Sequence, residues 1–144
     1  MAASATALYT PQVLALATRL AGFAPRPDLP LHGAARAAAC GSRLELDLGL
    51  SGGRICAIGL RAHACAIGQA AAAIFADHAI GQRAVDISAA LEKIEAWLAG
   101  EGPLPAWPGL EAIAAARDFP GRHGAMLLPW KAACDALSSA AAPG

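Results

Sequence analysis

The chain has few cysteines, few aromatic residues and no excess of charge of either sign. Four cysteines among 144 residues are too few for a small secreted fold built on disulfides, and they suit a chain that folds in the reducing cytoplasm. Eleven basic residues balance eleven acidic ones, and the basic residues are scattered. A nucleic acid is therefore not the expected partner, because phosphate backbones are bound by clustered cations.

Long apolar runs are also missing. The longest mostly apolar run, from Ala64 to Ala76, is interrupted by Gly68 and Gln69 and is too short to cross a bilayer. The amino-terminal stretch has no basic residue before Arg19, so we do not expect a signal peptide. We expect a soluble cytoplasmic protein, without membrane partners, whose residues 1–144 form a single domain around one core.

The apolar pattern of the first half predicts one helix followed by a small sheet. The helix begins at Thr10, which suits an N-cap, and ends at Gly22. The leucines between Leu44 and Leu50 alternate with polar residues, and Gly52-Gly53 predicts a hairpin turn into a second strand. A third strand is predicted between His32 and Ala39. Together these segments predict an antiparallel sheet.

The pattern of the second half is helical throughout. The predicted helices cover Ala66 to His78, Ile87 to Leu98, Leu110 to Arg117 and Pro120 to Ser139. The chain is therefore predicted to have an α+β fold, with a small antiparallel three-stranded sheet and about five helices packed on one face.

Two cysteines stand where reactive chemistry is expected. Cys40 lies at the start of the strand pair, and Cys65 lies where that pair runs into a helix, so both thiols belong to one end of the sheet. The partial positive charge at a helix N-terminus favours the thiolate, which binds metals and attacks persulfides. Cys56 and Cys134 are more typical of small buried apolar side chains.

Several short motifs follow one another along nearly the whole chain. They are Leu8–Leu14, Cys40-Gly41-Ser42, Ala64–Ile67, Phe119–Arg122 and Leu128–Trp130. In this order they resemble the U-type iron–sulfur cluster scaffold family, which includes IscU, SufU and the N-terminal domain of NifU. The corresponding family features are the opening helix, the Cys-Gly-Asp loop, the Gly-Cys turn into a helix and the C-terminal signature of SufU-like members.

The resemblance implies a scaffold or sulfur-acceptor protein for iron–sulfur cluster assembly that is not itself an enzyme. It implies that Cys40 and Cys65 bind iron or a transient, labile cluster. It further implies that a cysteine desulfurase delivers sulfur and that cluster-receiving proteins take the product.

Two family positions are altered in this chain. Ser42 stands where the family has an Asp, and Ala125 stands where it has its third cysteine. Ser42 keeps an oxygen donor, whereas Ala125 has no donor atom. Cys134 lies nine residues beyond Ala125, which is about two and a half helical turns, so it is expected on the opposite side of that helix.

Nitrogen ligands are the remaining candidates for completing a metal site. His63 precedes Cys65 by two residues, and His123 precedes the altered cysteine position by two. A set made of Cys40, Cys65 and His123 could hold zinc or iron and leave a fourth position open. The Ser42 hydroxyl is a further candidate metal ligand.

Other functions stay open. One is a degenerate scaffold-fold protein that binds zinc or a partner without assembling clusters, because Ser42 and Ala125 replace family ligands. Another is a zinc-dependent hydrolase, but Glu45 and Asp47 fit the solvent face of a strand better than the role of an acid or base beside the thiols. A second copy of the chain could supply the missing ligand in a symmetric homodimer.

Overall fold

The computed structural model describes residues 8–141. The strands form one antiparallel sheet in the order β1-β2-β3, as predicted. The α-helices and strands are α1 (Pro11–Arg19), β1 (Leu31–Ala37), β2 (Ser42–Ser51), β3 (Arg54–His63), α2 (Ala66–Ala79), α3 (Ala84–Leu98) and α4 (His123–Ala141). Short 3₁₀ helices cover Leu20–Gly22, Leu110–Asp118 and Pro120–Arg122. The predicted α+β fold is confirmed, although its fourth predicted helix is the 3₁₀ helix Leu110–Asp118.

The alternation in β2 separates the two faces of the sheet. Leu44, Leu46 and Leu48 are fully buried against the helices, while the residues between them lie on the other face. Gly52 and Gly53 join β2 to β3 with φ angles of 61° and 78°. Two successive positive φ angles are the geometry of a two-residue type I′ hairpin turn, which non-glycine residues rarely adopt. The predicted hairpin is therefore confirmed.

The pairing of β2 with β3 contains one irregularity. Gly49 pairs with Ala57 but Leu50 pairs with Ile55, so Cys56 is an extra residue in a β-bulge. Ile55 takes the buried position, with 1% exposure, and Cys56 is exposed. The prediction that Cys56 is buried is wrong, because the bulge shifts the alternation by one residue.

Helix α4 packs unusually close to the sheet at its edge strand. A Cβ atom on Gly33 of β1 would lie 2.1 Å from the carbonyl oxygen of Ala132, and one on Gly124 would lie 2.9 Å from the Cβ of Ala37. Only glycine permits these approaches. The first turn of α4 is thereby held beside the end of β1, next to the turn that carries Cys40.

Helix α2 runs through the middle of the helical layer. Its residues from Ala70 to Ala76 are buried, and Phe75 stacks on Trp107 with ring centroids 5.5 Å apart and an interplanar angle of 7°. Trp130 of α4 meets both rings edge-on, a favoured aromatic geometry. The Trp107 indole donates a 3.0 Å hydrogen bond to the carbonyl oxygen of Ile74. This aromatic cluster ties α4 and the loop around Trp107 to α2.

Helix α3 does not begin at Ile87, where it was predicted to begin. The helix starts three residues earlier, at Ala84, because the Asp86 carboxylate accepts a 2.9 Å hydrogen bond from the backbone N–H of Arg83. Such a bond satisfies a donor that the helix itself leaves unpaired. Among residues 8–141, no helix is both long and apolar enough to span a bilayer.

Candidate thiol site

Cys40 lies in the tight turn that joins β1 to β2. Gly41 has a φ of 69°, which favours glycine, and its N–H donates a 2.9 Å hydrogen bond to the carbonyl oxygen of Ala37. The turn therefore closes within a few residues and holds Cys40 at the end of the sheet. The thiol is partly exposed, so another molecule can reach it.

The neighbour of the Cys40 sulfur is the Ser42 hydroxyl. The Sγ–Oγ distance is 3.0 Å, with the thiol as donor. Ser42 is only 4% exposed, so this hydroxyl is shielded from water. The hydrogen bond to Ser42 is the main cause that lowers the pKa of the Cys40 thiol below its ordinary value, and the positive charge of Arg122 adds to it. Both effects favour the thiolate.

Cys65 is the N-cap residue of α2. Its backbone is extended, with φ −63° and ψ 170°, and its side chain makes no capping hydrogen bond. Its carbonyl oxygen accepts a 2.9 Å bond from the N–H of Gln69, which starts the helix. Cys65, which is partly exposed, thus lies at the positive end of the α2 dipole, as the sequence predicted.

Arg122 connects the two thiols electrostatically. It lies in the short 3₁₀ helix before α4, and its Nη2 is 3.5 Å from the hydroxyl oxygen of Tyr9. The pKa of Arg122 is raised first by that hydrogen bond and then by the charges of Tyr9, Cys65 and Cys40. One guanidinium is therefore within electrostatic reach of both sulfurs. Its Nε is buried and has no hydrogen-bond partner within residues 8–141.

The roles of Arg122 and Tyr9 were not predicted. Both residues occur in the motifs, at opposite ends of the chain, but nothing in a local pattern indicates that they meet. In the sequence, only their positions within the motifs indicate that these two residues could belong to the thiol site.

Ala125 packs beside the first turn of α2. It is fully buried, and a Cβ atom on Gly68 would lie 3.4 Å from the Cβ of Ala125. Gly68 is three residues after Cys65. The position at which the family has its third cysteine thus lies next to the helix that Cys65 caps, but here it carries only a methyl group.

The two candidate histidines are held in different surroundings. The Nε2 of His123 donates a hydrogen bond of 2.6 Å to the carbonyl oxygen of Arg117. The ring lines a hollow of about 240 Å³ whose other walls include Glu95 and Leu98 of α3. His63 is exposed at the end of β3 and pairs with Arg43.

Among the described residues, metal-binding side chains form no cluster of three, either at the thiol site with Cys40, Cys65 and His123 or elsewhere. Within the part of the chain that the structure describes, no three or more His, Cys, Asp or Glu residues are grouped so that they could hold a metal ion. Cys134, on α4, has its pKa raised by burial and, to a lesser extent, by Glu95. Its surroundings favour the neutral thiol, so it is a poor substitute for the missing ligand.

Comparison with known proteins finds similarity in structure. No family model matches the chain, and no curated protein matches its sequence. A nitrogen-fixing NifU-like protein (N-terminal) from Brucella abortus has a TM-score of 0.84 and 24% identity over 91% of this chain and 92% of its own. A putative iron–sulfur cluster assembly scaffold protein for the SUF system from Fervidobacterium islandicum has a TM-score of 0.78 and 20% identity over 90% and 96%.

A third solved structure, of a hypothetical protein, has a TM-score of 0.65 and 17% identity, with 88% of this chain and 96% of that chain covered. At these identities the likeness concerns the fold. The chain has the U-type scaffold fold that its motifs predicted.

Proposed function

We propose that this protein is a scaffold or sulfur acceptor in iron–sulfur cluster assembly, in which Cys40 and Cys65 receive sulfur and hold iron or a labile cluster. The observation that carries the proposal is the placement of both thiols at one end of the sheet, Cys40 beside the Ser42 hydroxyl and Cys65 at the N-terminus of α2, with Arg122 in electrostatic reach of both. The similarity in fold to a putative cluster assembly scaffold protein supports the same function.

The first step is transfer of sulfur from a persulfide on a cysteine desulfurase. The Cys40 thiolate attacks the outer sulfur of that persulfide, and a new sulfur–sulfur bond forms at Cys40 while the donor's bond breaks. The donor cysteine leaves as a thiolate and takes up a proton, so no external oxidant or reductant is required. The lowered pKa of Cys40 raises the fraction of attacking thiolate.

Ser42 suits this step better than a carboxylate would. A hydroxyl 3.0 Å from the sulfur can donate its hydrogen to the thiolate, whereas a carboxylate at that distance would repel the negative charge. The replacement of the family's Asp by Ser42 therefore favours sulfur acceptance at Cys40.

The presence of Ala125 at the third cysteine position affects the second part of the proposed function, iron binding. With a methyl group at the third cysteine position, one chain offers the iron two thiolates, and iron held by fewer ligands is released more readily. Such a site suits transient binding of iron or a labile cluster, which would then be transferred to cluster-receiving proteins.

The ligand roles of Ser42 and His123 stay predictions. The Ser42 oxygen already pairs with the Cys40 thiol, so metal binding would replace that contact. His123 would have to release the carbonyl oxygen of Arg117 before its Nε2 could bind a metal.

The test is anaerobic reconstitution with ferrous iron, a cysteine desulfurase and cysteine, followed by measurement of iron, zinc and acid-labile sulfide per chain. We expect stoichiometric iron and sulfide in the wild type and loss of both in Cys40→Ala and Cys65→Ala. Cys56→Ala and Cys134→Ala are the matched controls and should load like the wild type. Zinc without sulfide would favour the degenerate zinc-binding alternative, and equal loading of all four variants would refute the proposed ligands.

A further inference from the structure

The outward face of the sheet carries a row of basic side chains beside the thiols. Arg36 of β1 pairs with Arg43 of β2, which pairs with His63 of β3. Partners in an antiparallel sheet project from the same face, and all three side chains are exposed. We call these three residues the basic row.

The basic row is the first outward-facing row at the thiol end of the sheet. Arg43 directly follows Ser42, the partner of the Cys40 sulfur. His63 precedes Cys65 by two residues. The basic row and the two thiols therefore lie at the same end of the sheet.

The charge of the basic row is not balanced by an ion pair within residues 8–141. Two like charges directly opposite each other destabilise a sheet, and the pair Arg36 and Arg43 is such a case. The next outward row contains Glu45 opposite Arg61, so its charges can offset one another. Within residues 8–141, the ion pairs join Arg19 to Asp77, Arg26 to Asp28 and His32 to Asp47, and none involves the basic row.

We propose that the basic row is a docking surface for an acidic patch on the protein that delivers sulfur to Cys40. This inference rests on the proposed function. The guanidinium groups of Arg36 and Arg43 would be neutralised by carboxylates of the partner, which would steer the donor towards the thiols. A second copy of this chain would bring the same positive row and would be repelled in a symmetric arrangement.

The first test measures docking without sulfur chemistry. The probe is an octaglutamate peptide, titrated into the protein while backbone amide shifts are followed by NMR. We expect shifts concentrated at Arg36, Arg43 and His63, and their loss in the Arg36→Glu/Arg43→Glu variant. Equal shifts around Arg54, at the far end of the sheet, would overturn the proposal. So would saturation of the same amides by a DNA duplex at lower concentration than the peptide.

The second test measures sulfur transfer from a cysteine desulfurase. In Arg36→Glu/Arg43→Glu, we expect the acceptor concentration for half-maximal transfer to rise at least about tenfold, with an unchanged maximal rate, because steering acts on encounter. Lys93→Glu/Lys131→Glu alters two exposed residues on the helices, changes the net charge equally and should stay within about twofold of the wild type by the same reasoning. Equal effects of both double variants would overturn the proposal.

The two proposals can fail separately. If the wild type accepts no sulfur, the proposed function is wrong, and the peptide titration still decides whether the basic row binds acidic protein segments. If Arg36→Glu/Arg43→Glu does not fold, as judged by circular dichroism, Arg36→Gln/Arg43→Gln removes the charges without reversing them and should weaken peptide binding in the same direction.

Discussion

Cys40 and Cys134 are the same side chain in opposite surroundings. Cys40 lies in a turn with the Ser42 hydroxyl and the Arg122 charge nearby, and both lower the pKa of its thiol. Cys134 lies on α4, where burial and the negative charge of Glu95 raise its pKa. The difference shows that reactivity here is a property of the neighbours and not of the residue type.

Among the variants that test this difference between Cys40 and Cys134, Gly33→Ala should have the largest effect. It should disturb the surroundings of both thiols. The new Cβ would lie 2.1 Å from the carbonyl oxygen of Ala132, so α4 would have to move away from β1. We expect a loss of unfolding free energy of about 3 kcal/mol, measured by urea denaturation.

Gly22→Ala is the matched control for Gly33→Ala. A Cβ at Gly22 would meet no atom within 4 Å, so stability should change by less than about 1 kcal/mol. An unchanged denaturation midpoint in Gly33→Ala would contradict the close packing of α4 on β1.

Ser42→Ala should have the next largest effect, because the hydrogen bond to Ser42 is the main cause of the lowered pKa of Cys40. The midpoint of a plot of iodoacetamide alkylation rate against pH should move to higher pH at Cys40 and stay unchanged at Cys134, as read by mass spectrometry of peptides. Arg122→Gln should move it in the same direction by less. Ser51→Ala, on the exposed end of β2, is the control.

The lowered pKa of Cys40 also makes the unfolding free energy depend on pH, and Ser42→Ala can be used to measure this dependence. Because the folded pKa of Cys40 lies below its unfolded value, its thiolate stabilises the fold above the unfolded pKa of about 8.5, and this contribution disappears as pH falls through the folded pKa. The difference in unfolding free energy between wild type and Ser42→Ala should therefore be larger on the alkaline side. A difference that shrinks as pH rises would contradict the lowered pKa.

Glu95→Gln should have the smallest effect. Burial is the main cause of the raised pKa of Cys134, and the charge of Glu95 is the lesser one. Alkylation of Cys134 should therefore begin at slightly lower pH than in the wild type but still at higher pH than alkylation of Cys40. A Cys134 profile that coincides with that of Cys40 would show that Glu95, and not burial, separates the two thiols.

Much of the fold could be predicted from local patterns. The alternating leucines of β2 and the paired glycines of the hairpin identified the sheet, because strand periodicity and turn geometry depend on residues close in sequence. The same reasoning failed for Cys56, since a bulge depends on how two strands pair and not on either strand alone. The start of α3 was missed because the Asp86 cap was not recognised.

The sequence by itself determined where the strands and helices form and placed Cys40 and Cys65 at one end of the sheet. Only the tertiary structure decided what surrounds each thiol. Tyr9 and Arg122 are 113 residues apart, yet they meet beside the site, and Cys134 meets Glu95 on another helix. Periodicity is set by neighbours along the chain, whereas a pKa depends on charges, hydrogen bonds and burial that act through space.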